Sequence, residues 1–426
     1  MSNRRVVVVG QGYVGLPLAV CAAEAGHRVV GYDVEPERIA RLAAGDSYVE
    51  DIASGRLRAV LADGSFRASA DPGDCAGFDL AIVAVPTPLR DGVPDLTYVE
   101  ESAAMLAGHL VPGATVVLES TTYPGTTEEL FGPLLEKGSG LTAGIDFHLG
   151  YSPERIDPGN PDWRLENTPK IVSGVDGESL AAVVDFYSGF VRTVVPVASC
   201  KEAELAKLLE NIFRHVNIGL ANELAVLARD LGINIWGVLE AAATKPFGYM
   251  PFSPGPGVGG HCLPIDPSYL SWQVERSLGY SFRFVELAND VNSHMPDYVV
   301  RRLTEALNSR RRSVNGARVL VLGLAYKKNT SDTRESPALR VVELLSKLGA
   351  EIRAADPHVP DDFGAHPGSP LAGVERVEAS PAELAAADVV LLLVDHDAFS
   401  VEDITEHASH VLDCRGRLRG ANVELL

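Results

Sequence analysis

The sequence predicts an α/β fold with two parallel-sheet domains and a helical region between them. Short β-branched runs alternate with Ala-rich stretches in residues 4–150 and again in residues 318–412, which is the rhythm of βαβ units. Between them, residues 202–308 have helical spacing on both sides of a Pro- and Gly-rich segment. We therefore divide the chain into domains at residues 1–196, 197–309 and 310–426.

The elements follow in order along the chain. In the first domain we predict strands at residues 6–9, 27–32, 80–85 and 115–118, with a helix at 16–25. The middle region predicts helices at residues 202–229, 235–243, 267–273 and 285–308, interrupted by the shaped loop 245–267. After three arginines, the last domain predicts strands at residues 318–322, 351–355, 389–394 and 410–412.

Composition excludes several classes of protein. The chain has 426 residues and a formal net charge of -20, which opposes binding to nucleic acid or anionic lipid. The five cysteines are widely spaced and form no CxxC pair, so we expect neither a disulfide framework nor a metal site. The first apolar run is too short for a signal peptide or a membrane span. A cytoplasmic protein is the expectation.

A glycine fingerprint follows the first predicted strand. Gly10, Gly12 and Gly15 have GxGxxG spacing between that strand and an apolar helix, as in loops that bind a pyrophosphate at a helix N-terminus. Asp33 ends the next apolar run, where an acid accepts hydrogen bonds from the adenosine ribose and favours NAD over NADP. The alternatives are a turn that binds nothing, and FAD, which shares the fingerprint.

A single cysteine stands in the most informative segment, residues 259–266. Because Pro264 is tolerated in a first helical turn, we expect a helix to begin at residues 262–264. Cys262 would then face the positive end of the helix dipole, which favours a nucleophilic thiolate. The glycines before it would leave room for a substrate, and Asp266 would share its helix face. The alternative is an apolar filler, and His261 is assigned no catalytic role.

Two further segments carry lysines that could contact a ligand. Lys207 and Asn211 are four residues apart on one face of the predicted connector helix, where they can stabilise an oxyanion. The alternative is that the lysine extends to water. Lys327 and Arg334 follow the first strand of the last domain, at the edge where open α/β sheets hold ligands, although a solvated basic loop has the same pattern. This domain lacks the further glycines of a dinucleotide site.

In order along the chain, these segments resemble the nucleotide-sugar 6-dehydrogenase family, which includes UDP-glucose, GDP-mannose and UDP-N-acetylhexosamine dehydrogenases. The resemblance covers essentially the whole chain. The motifs that carry it are residues 10–15, 85–88 (VPTP), 119–121 (EST), 151–154 (YSPE), 204–211 (ELAKLLEN), 259–266 (GGHCLPID) and 327–336 (KKNTSDTRES).

The resemblance implies a fold, a reaction and a partner. The fold would be two Rossmann-like, doubly wound domains joined by a long central helix that also forms a homodimer. The reaction would be NAD-dependent four-electron oxidation of a nucleotide hexose, a UDP-N-acetylhexosamine or UDP-glucose, at C6. It would pass through a thiohemiacetal and a thioester and form two NADH per sugar, for polysaccharide biosynthesis.

The resemblance also implies roles for single residues. Cys262 would be the nucleophile, Lys207 and Asn211 would stabilise oxyanions, and Thr121, Glu154 and Asp266 would handle water. The implied cofactor-binding residues are Gly10, Gly12, Tyr13, Val14, Gly15, Asp33, Arg38, Pro86, Thr87, Thr121 and Arg334. The implied substrate-binding residues are Glu154, Lys207, Asn211, Gly259 and Lys327.

The chain departs from part of the family pattern. Where many glucose-type members have a second Glu, it has Pro158 with Asp157 beside it. Residues 213–223 and 261–267 resemble the N-acetylhexosamine branch more than the glucose branch. Two rival functions remain. A two-electron β-hydroxyacid dehydrogenase would need neither the cysteine nor the second α/β domain, and a nucleotide-sensing protein without turnover would be expected to lose the nucleophile.

Overall fold

The structure is a computed structural model that describes residues 3–49, 51–90, 92–157, 160, 162–260, 263–364, 366 and 368–426. The chain divides into two compact units, Met1–Glu210 and Asn211–Leu426.

The first unit contains ten strands and six α-helices in its described residues, besides the start of a seventh α-helix. The strands are β1 (Arg5–Val9), β2 (Arg28–Tyr32), β3 (Phe66–Ser69), β4 (Leu80–Val83), β5 (Leu89–Arg90), β6 (Val93–Pro94), β7 (Thr115–Leu118), β8 (His148–Tyr151), β9 (Lys170–Gly174) and β10 (Val194–Pro196). The helices are α1 (Gly15–Glu24), α2 (Pro36–Ala43), α3 (Ser54–Ala62), α4 (Thr97–Ala107), α5 (Gly132–Ser139) and α6 (Gly177–Tyr187).

Eight of these strands form one sheet in the order β10-β9-β8-β7-β4-β1-β2-β3. Strands β4 and β7 are buried along their whole length, which explains their continuous apolar sequence. Six neighbouring strands are parallel, but β9 pairs antiparallel with β8. The described part of residues 152–169 contains no helix. The chain therefore returns from the sheet edge at which β8 ended, and an antiparallel pair results.

Helix α7 (Cys200–Asp230) has 31 residues and passes from the first unit into the second. The remaining helices are α8 (Ile235–Ala243), α9 (Asp266–Leu278), α10 (Arg283–Ser309), α11 (Pro337–Lys347), α12 (Pro381–Ala386) and α13 (Val401–His407). The remaining strands are β11 (Arg318–Leu322), β12 (Glu351–Ala355), β13 (Glu375–Arg376), β14 (Val389–Leu392), β15 (Val411–Asp413) and β16 (Val423–Leu425). They form a parallel sheet in the order β13-β12-β11-β14-β15-β16.

The predicted fold class is confirmed: two sheet domains and a long central helix are present. Helices α7 and α10 pack closely, because a Cβ at Gly219 would lie 3.4 Å from the Cα of Ala288. Within the described part of the chain, every helix is too short or too polar to cross a membrane. The division into three domains at residues 196 and 309 stays a prediction.

Candidate active site

The residues predicted for the first unit follow consecutive strands at one edge of its sheet. Residues 10–15 follow β1, Asp33 follows β2 and residues 85–88 follow β4 soon after its end. Glu119 follows β7 and residues 152–154 follow β8. These strands are parallel, so their carboxyl ends lie at the same edge. The strand order changes direction between β1 and β4, the position at which open α/β sheets bind ligands.

The glycine turn after β1 has no room for a side chain at Gly10 or Gly15, but it is open at Gly12. Gly10 has a φ of +88°, and a Cβ there would lie 2.4 Å from the carbonyl oxygen of Ala84. A Cβ at Gly15 would lie 1.8 Å from the carbonyl oxygen of Gly10, whereas one at Gly12 would meet nothing within 4 Å. Helix α1 begins at Gly15 without a side-chain cap. The N–H groups of Leu16 and Leu18 already donate to the carbonyl oxygens of Gly12 and Val14, and Pro17 has none. An anion would therefore bind at the N–H groups that precede them.

Asp33 is buried and braces this turn. Its Oδ2 accepts hydrogen bonds from the Gln11 N–H at 2.7 Å and from Arg38 at 2.8 Å, and its Oδ1 accepts one from the Glu35 N–H at 3.0 Å. A carboxylate has about four acceptor sites, so one is left for a ribose hydroxyl. The structure therefore places Arg38 beside Asp33, as an ion pair.

Tyr48 is a residue of this turn that the sequence analysis missed. Its hydroxyl donates to the carbonyl oxygen of Gln11, and the guanidinium of Arg41 lies 5.2 Å from the centre of its ring. Burial raises the pKa of Tyr48, so the hydroxyl stays a donor. No local motif marks this tyrosine, because it meets the turn only through tertiary packing.

The segments after β4 and β7 are linked to each other. The Ser120 hydroxyl accepts from the Val85 N–H at 2.9 Å and donates to the Val85 carbonyl at 2.8 Å. The Thr87 hydroxyl donates to the Thr121 carbonyl at 2.9 Å. Thr87 and Thr121, both predicted beside the cofactor, are thus brought together.

The side chain of Glu154, which follows β8, has a fixed orientation. Its Oε1 accepts from the N–H groups of Arg155 at 2.6 Å and Ile156 at 2.5 Å. Its Oε2 is buried and has no hydrogen-bond partner among the described residues, while the Nζ of Lys170 lies 3.8 Å from it. One oxygen is held by backbone and the other is left for a ligand or water.

Lys207 is 8% exposed on α7, and the structure gives its ammonium no hydrogen bond or ion pair with any described residue. Nearby on the same helix, Glu204 accepts hydrogen bonds from Gly125 N–H at 2.6 Å and Thr127 N–H at 2.9 Å. Burial raises the pKa of Glu204 to about 7. Glu204 thus fixes the start of α7, and Lys207 is left without an anion. A buried cation without a partner is costly, which favours a bound anion or oxyanion beside it.

Asn211 and Asp266 are brought together by the structure. The Asn211 amide donates to the Asp266 carboxylate at 2.5 Å, and both side chains are buried. This bond connects α7 with the first residue of α9.

The predicted start of the helix at residues 262–264 is wrong for the part that the structure describes. Helix α9 begins at Asp266, and Pro267 occupies its first turn, a position that proline favours. Pro264 lies in a turn before it. The expectation that Asp266 shares a helix face with Cys262 stays a prediction, because Cys262 lies outside the described residues. His261 and Cys262 lie outside the described residues, as does Pro158.

The glycines before this turn make room for protein. A Cβ at Gly259 would lie 2.6 Å from the carbonyl oxygen of Glu335, and one at Gly260 would lie 2.7 Å from the ring of Tyr326. The Gly260 N–H donates to the Arg334 carbonyl at 2.9 Å. The space on the Cβ side of both glycines is filled by the loop after β11, and not by a substrate as the sequence suggested.

The loop after β11 carries Lys327 and Arg334 and is fixed by its own contacts. Asn329 has a φ of +57°, its N–H donates to the Nδ1 of His396 at 2.9 Å, and its amide donates to Asp397 at 2.7 Å. The guanidinium of Arg334 pairs with Asp332 at 2.6 Å. The loop is therefore ordered by the protein, which distinguishes it from a merely solvated basic loop.

An acid also follows β12, in the place that Asp33 has in the first unit. Asp356 accepts hydrogen bonds from the N–H groups of Leu324 at 2.7 Å, Ala325 at 3.0 Å, His358 at 2.9 Å and Val359 at 3.1 Å, and from His396 at 3.1 Å. Its acceptor sites are filled. A ribose therefore finds no acceptor here, in agreement with the missing glycines.

Comparison with known proteins agrees with this geometry along the chain. Models of the UDP-glucose/GDP-mannose dehydrogenase family match residues 4–191 (NAD-binding domain), 201–294 (central domain) and 320–419 (UDP-binding domain). The chain belongs to the UDP-glucose/GDP-mannose dehydrogenase family.

Three similar proteins illustrate this membership. The chain is 39% identical to the UDP-N-acetyl-D-glucosamine 6-dehydrogenase of Pseudomonas aeruginosa, over 97% of this chain and 96% of that one. It is 36% identical to the UDP-N-acetyl-D-mannosamine dehydrogenase of Pyrococcus horikoshii, over 97% and 95%. The solved structure of UDP-D-ManNAc dehydrogenase from Pyrococcus horikoshii superposes with a TM-score of 0.89 at 34% identity, covering 99% of this chain and 98% of that one.

As a member of this family, the protein is an NAD-dependent oxidoreductase, and its residues fit that cofactor. The side of the turn at Gly12 is open, α1 has no side-chain cap, and Asp33 keeps one acceptor site. A diphosphate and a ribose need these groups. The match of residues 4–191 to an NAD-binding family domain sets aside the FAD alternative and the empty-turn alternative.

The described cysteines of this family member are buried thiols. Cys21, Cys75, Cys200 and Cys414 are all free and buried. Burial raises the pKa to about 12 in Cys21, about 11 in Cys75 and about 12 in Cys200, and it raises that of Cys414 as well. None of these four has the environment of a nucleophile.

Proposed function

We propose that the protein oxidises C6 of a nucleotide-diphosphate hexose from the alcohol to the carboxylate. The overall change is R–CH2OH + 2 NAD+ + H2O → R–COO− + 2 NADH + 3 H+. Two NAD molecules, bound one after the other at the glycine turn, would accept one hydride each. The observation that carries the proposal is Lys207, a residue that is 8% exposed and whose ammonium has no hydrogen bond or ion pair with any described residue. It lies one helical turn before the Asn211–Asp266 pair.

A cation and an amide on one helix face suit a reaction in which an oxygen gains charge. The first oxidation gives an aldehyde, which the Cys262 thiolate captures as a thiohemiacetal through a new C–S bond. The second oxidation converts this adduct into a thioester. In each case Lys207 and the Asn211 amide stabilise the oxygen on C6.

Hydrolysis releases the product. Water adds to the thioester carbon, the C–S bond breaks, and the thiolate leaves. Glu154 takes a proton from the water, since its Oε2 has no hydrogen-bond partner among the described residues. Thr121 and Asp266 orient the water. Asp157 precedes Pro158, so Glu154 performs this role without the second Glu of many glucose-type members.

Cys262 is assigned as the nucleophile on its sequence setting and on the other thiols. It lies outside the described residues, but the four described cysteines are buried with raised pKa values. A thiolate is the reactive form, so these four are poor candidates. Elimination therefore supports Cys262.

Binding roles follow the same resemblance. For NAD we propose Gly10, Gly12, Tyr13, Val14, Gly15, Asp33, Arg38, Pro86, Thr87, Thr121 and Arg334. For the nucleotide sugar we propose Glu154, Lys207, Asn211, Gly259 and Lys327. Arg38 acts through Asp33, with which it is paired. Gly259 contributes its backbone, because the space on its Cβ side is filled.

The sugar that we favour is a UDP-N-acetylhexosamine. Residues 213–223 and 261–267 resemble that branch, and similar proteins bear the names of N-acetylglucosamine and N-acetylmannosamine enzymes. UDP-glucose is the second candidate.

We also propose a homodimer through the central helix. The side chains of Leu220, Leu224 and Leu227 on α7 and of Leu231 just after it are 56%, 38%, 52% and 63% exposed. A continuous apolar stripe of this kind marks an interaction surface. The four described free thiols support a reducing compartment, the cytoplasm.

One assay tests the reaction. The protein is incubated with NAD and, separately, with UDP-N-acetylglucosamine, UDP-N-acetylmannosamine, UDP-glucose, GDP-mannose and dTDP-glucose, and NADH is counted per sugar consumed. We expect two NADH and a uronic acid. One NADH with a released aldehyde or ketone would favour the two-electron rival, and binding without NADH would favour the nucleotide-sensing protein.

A further inference from the structure

A buried cluster of ionisable groups lies behind Glu154 in the first unit. Lys170 begins β9 and is 4% exposed, and Glu119 follows β7 and is 1% exposed. The Nζ of Lys170 lies 3.0 Å from Glu119 Oε1 and 3.8 Å from Glu154 Oε2, and it donates to the Pro153 carbonyl at 3.3 Å. From α6, the hydroxyl of Tyr187 donates to Glu119. The sequence analysis gave neither Lys170 nor Tyr187 a role.

The charges in this cluster do not balance if every group has its usual ionisation. Two carboxyl groups share one ammonium, and Tyr187 contributes only a neutral hydroxyl. An unbalanced buried charge is costly, so such a pair retains a proton. Of the two, Glu119 is the more enclosed: its Oε2 is buried without a hydrogen-bond partner among the described residues, whereas Glu154 Oε1 is held by two backbone N–H groups.

We propose that Glu119 carries this proton at neutral pH and that Lys170 is a positioning residue which keeps Glu154 ionised as the acceptor of the water proton. The proposal rests on the proposed function for the role of Glu154, but not for the location of the proton. With Glu119 neutral, the single positive charge of Lys170 balances the single negative charge of Glu154.

Electrostatics favour the same assignment. Burial raises the pKa of Glu119, the nearby Lys170 lowers it, and the charge of Glu154 raises it further. Burial raises the pKa of Tyr187 well above its usual value, so this hydroxyl remains a donor. Arg155, whose backbone N–H donates to Glu154, pairs through its guanidinium with Glu210 at 2.6 Å, so these two side chains together add no net charge.

The arrangement gives hydrolysis a base that is ionised before the thioester forms. When Glu154 takes a proton from the attacking water, its O–H bond forms as the water O–H bond breaks. The proton is returned to solvent when the carboxylate product leaves. Lys170 contributes a positive charge 3.8 Å from Glu154 Oε2 and thereby fixes the direction of that oxygen.

The first test locates the proton and needs no substrate. Infrared spectra at neutral pH are recorded for the wild type, Glu119→Gln and Tyr187→Phe. We expect the wild-type-minus-Glu119→Gln difference spectrum to show a protonated carboxyl C=O band. Because the Tyr187 hydroxyl donates to Glu119, this band should shift in Tyr187→Phe. The absence of a protonated band from the wild type, or a band that Tyr187→Phe leaves in place, would overturn the assignment.

The second test concerns Lys170. The pH dependence of kcat is measured for wild type, Lys170→Met and Lys170→Arg with NAD and UDP-N-acetylglucosamine, UDP-N-acetylmannosamine or UDP-glucose. Lys170→Met removes the positive charge that lies 3.8 Å from Glu154 Oε2, so the acid limb of kcat should move to higher pH by about 1 to 3 pH units. Lys170→Arg should restore it. Lys201→Met is the matched control, since Lys201 is an exposed partner of Glu129.

The outcomes separate this inference from the proposed function. Two NADH per sugar with an unmoved limb in a folded Lys170→Met would overturn the role of Lys170 and leave the reaction standing. If Lys170→Met does not fold, a Lys170→Arg profile that departs from wild type in a folded protein overturns the role. If no nucleotide sugar yields NADH, the proposed function fails, and the infrared spectra still decide where the proton lies.

Discussion

Two buried lysines of the first unit have opposite environments. Lys170 is held by two carboxyl groups and a carbonyl oxygen, whereas Lys207 has no polar partner among the described residues. The partners of Lys170 offset the cost of its desolvation, so this ammonium belongs to the protein's own electrostatics. Lys207 has no such partners, so its ammonium is available to a ligand. Burial and pairing together therefore distinguish a positioning lysine from a ligand-binding one.

At the cofactor turn, Asp33→Ala should weaken NAD binding far more than nucleotide-sugar binding. The change removes the acceptor for the ribose and also the brace for the Gln11 N–H and Arg38. A hydrogen bond to a charged group contributes roughly 1.5 to 3 kcal/mol, which corresponds to an increase of about 10- to 100-fold in the Kd for NAD. Calorimetric titration of both ligands measures this. Equal weakening of both, or an unchanged Kd for NAD, would contradict the assignment.

At the nucleophile, Cys262→Ser should reduce turnover by orders of magnitude, because a hydroxyl is a much poorer nucleophile than a thiolate at neutral pH. Iodoacetamide should inactivate the wild type, and a bound nucleotide sugar should protect it. The four described cysteines are buried with raised pKa values, so peptide mapping should find the label at position 262.

Cys75→Ser is the matched control for this substitution. Cys75 is buried and lies outside the proposed site, so the variant should keep its sensitivity to iodoacetamide. Full activity in Cys262→Ser, or inactivation that maps to Cys75 or another described thiol, would remove the basis for a covalent mechanism.

At the scale of an element, the start of α7 depends on one carboxyl group. Glu204 is fully buried and accepts hydrogen bonds from Gly125 N–H, Thr127 N–H and the Thr127 hydroxyl at 2.6, 2.9 and 2.7 Å. These bonds join the helix that carries Lys207 to the segment after β7. The orientation of Lys207 therefore depends on Glu204.

This carboxyl group should make stability depend on pH. Burial raises the pKa of Glu204 from 4.5 to about 7, so between these values the folded chain holds a proton that the unfolded chain has lost. The contribution of Glu204 is present below pH 4.5 and is lost as pH rises through 7. The loss is about 3 kcal/mol for a shift of this size.

Denaturant unfolding of wild type and Glu204→Gln across this pH range measures the effect. The difference in unfolding free energy between them should change in favour of the variant as pH rises, because Gln does not titrate. Glu129→Gln is the control, since Glu129 is exposed and pairs with Lys201. Parallel pH profiles for wild type and Glu204→Gln would contradict the prediction.

The same scale shows what the sequence could predict. Strands such as β1, β4 and β7 were found because burial on both faces makes their sequences continuously apolar. The antiparallel pair β8–β9 was missed, since its direction depends on the route of the chain after β8 and not on local periodicity. The start of α9 was misplaced, because two prolines compete for one first turn and only Pro267 occupies it.

The site was predicted to a similar extent. Asn211 and Asp266 were both named from motifs, and the structure joins them by a hydrogen bond. Lys170 and Tyr187 were not named, because each lies inside an ordinary apolar strand or helix and meets Glu119 only in the folded sheet. Residues that support a site from behind leave no spacing signal.

At the scale of the whole molecule, a formal charge of -20 repels an anionic nucleotide sugar. Long-range attraction therefore does not assist binding. Local groups must do so. The first unit offers Lys207, and the second unit offers the ordered loop with Lys327. An acidic protein can hold an anionic ligand when such groups are enclosed and screened from the remaining charge.

The exposed face of α7 leads to the last prediction, that the protein is a dimer. Leu220, Leu224 and Leu227 repeat at intervals of four and three residues, which places them on one helix face, and Leu231 follows directly after the helix ends. Helix α10 packs against α7 at Gly219 and adds two exposed apolar side chains, Phe284 and Leu287, which are 67% and 63% exposed.

We expect wild type to have about twice the chain mass of 45.4 kDa in light scattering. In Leu227→Glu, a buried carboxylate without a partner should raise the dimer Kd by at least about 100-fold. The control Leu348→Glu changes a leucine that is 46% exposed on another surface, and it should stay dimeric. A dimer that persists in Leu227→Glu would show that this face of α7 is not the dimer interface. A monomeric wild type would contradict the dimer itself.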